Sequence, residues 1–103
     1  MTKQIISILN KMNEENSRIK NCISEINKAQ KALNGPELRI HTDYMKYDIE
    51  GKPDREAVHI VLKDEAMKVV LNRLIEHYTE QRKIHNDNLE ELLRKLQGLK
   101  SEQ

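Results

Sequence analysis

The sequence predicts an α+β protein, mainly α, in which two long antiparallel coiled-coil helices are joined by a β-hairpin and the chain assembles as an oligomer. Three observations predict it. Largely apolar positions recur at alternating spacings of four and three from Ile5 to Leu33, through Leu9, Met12, Asn16, Ile19, Ile23, Ile26 and Gln30. A second such seam runs Leu71, Ile75, Tyr78, Arg82, His85, Leu89, Leu92, Leu96 and Leu99. Between them the period drops to two. A repeat of about 3.5 residues buries itself only along another helix, whereas strict alternation marks a strand.

The first helix is expected over residues 2–33, with Thr2 as its cap. Asn34-Gly35-Pro36 then supplies a left-handed stop and a residue that cannot continue the helix. At 1.5 Å per residue this element is a rod of about 48 Å. In the hairpin, expected over 37–62, Leu38, Ile40, Thr42 and Tyr44 alternate with Arg39, His41 and Asp43. Met45, Tyr47 and Ile49 then carry the apolar role in the opposite phase, which predicts a bulge or twist. Glu50-Gly51-Lys52-Pro53-Asp54 reads as the turn, and Val58, Ile60 and Leu62 as the return strand. A helix starting near Asp54 is the alternative for that segment. Asp64 is placed as the N-cap of the second helix, expected over 64–97, with Gly98 as its stop and Ser101–Gln103 as a frayed tail.

All of this fits one domain, residues 1–103. Phe and Trp are absent and only 3 Tyr are present, so the core is thin, while a charged fraction of 34% suits long exposed helix faces. A two-helix rod with a lone hairpin has little to bury, and a two-stranded hairpin is marginal in water. Self-association, most simply as a dimer, is therefore expected. Apolar residues beside the seams (Ile6, Ile8, Val70, Leu74, Ile84, Leu93) widen the stripe for further helices.

Pairing Leu33 with Leu71 in antiparallel register sets Asn16 opposite Asn88, near His85, and Arg82 opposite Cys22. A polar layer of Asn16, Arg82, His85 and Asn88 at mid-rod is expected to fix register, as buried polar residues in coiled-coil seams do. The sharper alternative makes the same residues a ligand site, since helix bundles build sites from facing side chains.

Net charge is +1, from 18 basic and 17 acidic residues that are interleaved, so neither nucleic acid nor an anionic membrane is an expected partner. The apolar run Ile5–Leu9 is too short for a signal peptide or a membrane span. The one cysteine, Cys22, suits a reducing cytoplasm. His41, Asp43 and His59 have metal-ligand chemistry but read more simply as a solvated hairpin face, so no metal and no cofactor is expected. No serine or threonine sits in a nucleophile elbow, no glycine cluster makes a phosphate loop, and the acidic pairs are sequence neighbours that diverge on a helix. No catalytic site is expected. Binding is the expected activity, with Tyr44, Met45 and Tyr47 as the partner-binding residues because they set adaptable and amphipathic side chains on the hairpin. The competing reading has them seal the hairpin against the helices.

The layout of the seam Ile5–Leu33, the hairpin Tyr44–Leu62 and the seam Leu71–Leu99 resembles the β-type subunit of prefoldin. That resemblance implies an oligomer whose hairpins assemble edge to edge and whose helices hang as tentacles. It also implies a holding activity on non-native chains without ATP. A small regulatory or inhibitory protein of the kind phages encode, capturing one partner or a small anion at Arg82 and His85, is the other class left open.

Overall fold

A computed structural model describes residues 2–101. Two residues of the tail expected to fray, Glu102 and Gln103, lie outside the described residues. Helix α1 (Thr2–Leu33) leads into strands β1 (Leu38–Tyr47) and β2 (Pro53–Leu62), and helix α2 (Asp64–Ser101) returns along α1. The two strands form a single antiparallel sheet. The expected fold class is the observed one: two long helices joined by a two-stranded hairpin.

The molecule measures 63 × 43 × 14 Å and has a radius of gyration of 20.8 Å, against about 13 Å for a compact chain of this length. The short dimension is about that of one helix. This is therefore a single layer of structure, where stable domains normally pack two.

What little core exists sits where the helices meet the base of the hairpin. Ala29, Met67 and Leu71 are buried there, with Ala32, Leu33, Leu38, Leu62 and Ile75 packed around them. The small side chains of Ala29 and Ala32 admit Met67 and Leu71 between the helices. Farther along the rod the seam thins to Ile19 and Cys22 as its buried apolar residues.

The α1 seam is displaced from its expected line. Ile5, Met12, Ile19, Ile26 and Leu33 are buried or half-buried as anticipated. The residues between them on the inner face are Ile8, Glu15, Cys22 and Ala29; Leu9, Asn16 and Gln30 are exposed and Ile23 is half-covered. A heptad anchor leaves two choices for its companion, and the chain takes the one with three apolar residues in four. On α2 every expected position is at least half-buried except Arg82, which is exposed while Gln81 turns inward.

The helix ends also differ from expectation. Neither Asn34 nor Gly35 adopts a positive φ. The last turn of α1 tightens instead, with Asn34 N–H donating to Lys31 O (3.1 Å) and Gly35 N–H to Ala32 O (3.0 Å). Gly98 does not stop α2, which continues to Ser101; one glycine costs a helix only about 1 kcal/mol. Asp64, at the start of α2, has φ 51°, a left-handed conformation that aspartate tolerates better than most residues. It lets the chain pass from strand to helix with a single intervening residue, Lys63.

The hairpin pairs without a bulge, from Leu38 opposite Leu62 to Tyr47 opposite Pro53. The predicted bulge is absent because the hairpin runs past the helices, where neither face has to stay buried. Ile49-Glu50-Gly51 forms a three-residue loop. Asp48 closes it by donating its N–H to Lys52 O (3.1 Å) and accepting from Gly51 N–H (3.0 Å) and, through Oδ1, from Lys52 N–H (2.8 Å). Gly51 has φ 81°, which the third loop residue of such a hairpin requires. Gly51→Ala meets no neighbour but is expected to cost about 1 kcal/mol of hairpin stability through backbone strain. Hydrogen exchange should show this as lost amide protection across 44–56 with helical circular dichroism unchanged.

Candidate functional site: the free hairpin and the mid-rod pair

With the register fixed, the hairpin's two faces can be read residue by residue. Pairing joins even positions to even and odd to odd. One face carries Leu38, Ile40, Tyr44, Val58, Ile60 and Leu62, and only its base meets the helices. The other carries His41, Asp43, Met45, Tyr47, Arg55 and His59. Tyr44 and Met45 are about half exposed, Tyr47 is 69% exposed and Ile49 at the loop is fully exposed. Tyr44 thus lies on the face opposite Met45 and Tyr47. All three stand clear of the helices, so they do not seal the hairpin against them. Ile60 and Val61 add further exposed apolar surface on β2.

Charges bracket this surface. Lys46 pairs with Glu56 across the strands, and that carboxylate, through its hydrogen bond and then its charge, raises the Lys46 ammonium above its ordinary value. Arg55 lies 3.8 Å from Asp43 on the other face. His41 faces His59 directly, Nδ1 to Nδ1 at 2.6 Å with the rings edge to face. A turn centred on Gly51 would have set His59 against Asp43; the loop is centred on Glu50, which shifts the pairing by two residues. Among the described residues, no group of three or more His, Cys, Asp or Glu side chains is placed to hold a metal ion.

At mid-rod the polar feature is a different set of side chains from the expected layer. Glu15 is buried at 8% exposure. Its Oε2 lies 2.6 Å from His85 Nδ1 and its Oε1 accepts from Arg18 Nη1 at 3.2 Å. His85 is half-buried, as placed. Asn16, Arg82 and Asn88 are exposed. Asn88 does line a shallow depression of about 350 Å3 beside Glu15, and His85 lines one of about 410 Å3 with Cys22, His77 and Tyr78. Glu15 is the residue sequence reasoning missed. The signal was the inner-face count, which puts a carboxylate in the seam opposite the one histidine of the second seam.

Among the described residues no helix is long and apolar enough to cross a membrane. No protein-family model matches the chain, and neither a curated protein nor a solved structure matches it, so the reading of these surfaces stands on their geometry alone.

Proposed function

We propose that this protein is a non-catalytic, self-associating coiled-coil module that binds another macromolecule, a protein, through the free half of its hairpin. The observation that carries this reading is the exposure of Tyr44, Met45, Tyr47 and Ile49 on a hairpin that extends beyond its own core. Aromatic and methionine side chains bury much area on docking and adapt to their partner. A single-layer rod with exposed apolar residues along both helices (Ile6, Leu9, Leu74, Ile84 and Leu93) gains the second layer it lacks by pairing with a copy of itself. A reducing cytoplasm suits the buried, unpaired thiol of Cys22.

Light scattering after size exclusion tests the self-association, and dimers or larger assemblies at micromolar concentration are expected. A monomer under those conditions would remove that part of the reading. Partner binding is tested with a photocrosslinking residue at Tyr47, in native cytosol, against the same residue at Ser7 on the rod tip. Crosslinks to one macromolecule from Tyr47 alone are expected.

A second reading has its own observation. Ile6, Leu9 and Leu93 are exposed near the free helix ends, close to an open depression of about 550 Å3 that Ile8 and Leu99 line between Lys3 and Lys95. A holding chaperone of the prefoldin kind would use such tips. Crosslinks from Ser7 to many chains, with suppressed aggregation of a heat-denatured reporter enzyme, would favour it over the hairpin.

A further inference from the structure

The hairpin holds one arrangement that the binding reading does not use. His41 and His59 are direct cross-strand partners. Counting back in steps of two from the hydrogen-bonded Asp48–Lys52 pair reaches Thr42–Val58 and Ile40–Ile60, so the histidines between them form a non-hydrogen-bonded pair, where side chains of opposed residues stand closest. Both rings are exposed and no packing holds them. Their Nδ1 atoms nonetheless meet at 2.6 Å.

We propose that His41 and His59 form a two-imidazole site for a late first-row divalent ion, copper(II) before nickel(II) or zinc(II), which clamps the outer half of the hairpin. Metal–imidazole bonds are about 2.0 Å long, so two nitrogens at right angles on one ion lie about 2.8 Å apart, and two at a tetrahedral angle about 3.3 Å. The observed 2.6 Å is a hydrogen-bond separation, and it places both nitrogens within reach of one ion once the rings turn. The Irving–Williams order then puts copper(II) first among the late first-row divalent ions at an imidazole pair.

The remaining requirements are small. In the hydrogen-bonded pair one Nδ1 carries a proton and the other a lone pair. Ligation by both needs that proton moved to the solvent-facing Nε2 and a rotation of the unpacked rings to bring the lone pairs to one point. Asp43 stands two residues along on the same face as His41, opposite the small Ala57, but its carboxylate faces Arg55 at 3.8 Å, so the two imidazoles are the protein's ligands. Arg39 on the same face is likewise engaged, by Glu37 at 2.8 Å. Two imidazoles completed by water make an open site, consistent with an affinity well below that of closed three- and four-ligand sites.

The test is copper(II) titration of untagged protein by calorimetry and electron paramagnetic resonance, with His41→Gln, His59→Gln and His77→Gln variants. Wild type should bind one ion per chain and show hyperfine splitting from two equivalent nitrogens. Since loss of even an outer-shell partner weakens metal sites by about 10–100-fold, either hairpin variant should lose at least tenfold in affinity and the two-nitrogen pattern, and His77→Gln neither. Hydrogen exchange should slow at 41–47 and 53–59 when the ion is bound, and the exposed positions leave helical circular dichroism intact in every variant. Equal binding by wild type and both hairpin variants, or no stoichiometric binding by wild type, overturns the proposal.

Discussion

Leu71→Ala is expected to remove most of the stability of this fold. Leu71 is 2% exposed and occupies the centre of the junction where Ala29, Met67, Leu38 and Leu62 meet. Truncating a buried leucine costs about 2–5 kcal/mol, the lost transfer energy plus the cavity left behind. A chain of this size has about 5–15 kcal/mol in all, and a single-layer rod with so few buried side chains belongs at the lower end. The loss should also be cooperative, because the same leucine ties the helices to each other and to the hairpin base. Urea unfolding should therefore show helical circular dichroism and hairpin amide protection vanishing together, at a midpoint far below wild type. Val69→Ala, two residues away and mostly exposed, should change stability by less than about 0.5 kcal/mol. Equal effects from the two substitutions would mean that an interface between copies, and not this junction, carries the fold.

That contrast between Leu71 and Val69 also marks how much of the fold a reader of the sequence can see. The α2 seam is almost fully legible because its apolar residues leave only one alternating line through them. The α1 seam is not, since Leu9 and Ile23 compete with Ile8, Cys22 and Ala29 for the same role. Counting apolar residues on each line resolves it, and small residues such as Ala29 and Cys22 are easily overlooked as core. The hairpin was legible in its existence but not in its register. Turn chemistry was the missing step: a loop with glycine in the left-handed position at its third residue is centred on Glu50, and that centring puts His41 opposite His59. The absence of a bulge was beyond the pattern, because alternation constrains a strand only where something covers one face. Gly98 shows the limit of residue preferences. A glycine marks a helix end only when the chain has somewhere else to go, and here the seam still has Leu99 to place.

The mid-rod pair gives a prediction in which the single changes and the double change disagree. His85→Leu leaves the Glu15 carboxylate buried with only the exposed Arg18 guanidinium beside it. Breaking a fully buried ion pair from one side costs about 3–5 kcal/mol. Arg18 and the remaining solvent access reduce that here to about 1–3 kcal/mol. Glu15→Leu is gentler, because it puts an apolar side chain at a seam position and leaves His85 half-buried, within reach of water; it should be near zero. The double variant replaces both polar groups with packed leucines and should be more stable than wild type, by about 1–4 kcal/mol as in other exchanges of buried charge for apolar side chains. Urea midpoints of the four proteins give the test, and a double variant less stable than His85→Leu alone would mean that the pair contributes net stability. If the pair instead limits how the seams associate, the more stable double variant should populate more than one assembly by light scattering, since leucines at 15 and 85 suit the seam of a second copy as well as the chain's own. Stability and uniqueness would then move in opposite directions. Glu15 and His85 would be holding the rod to one assembly, and with it the direction in which the hairpin surface is presented.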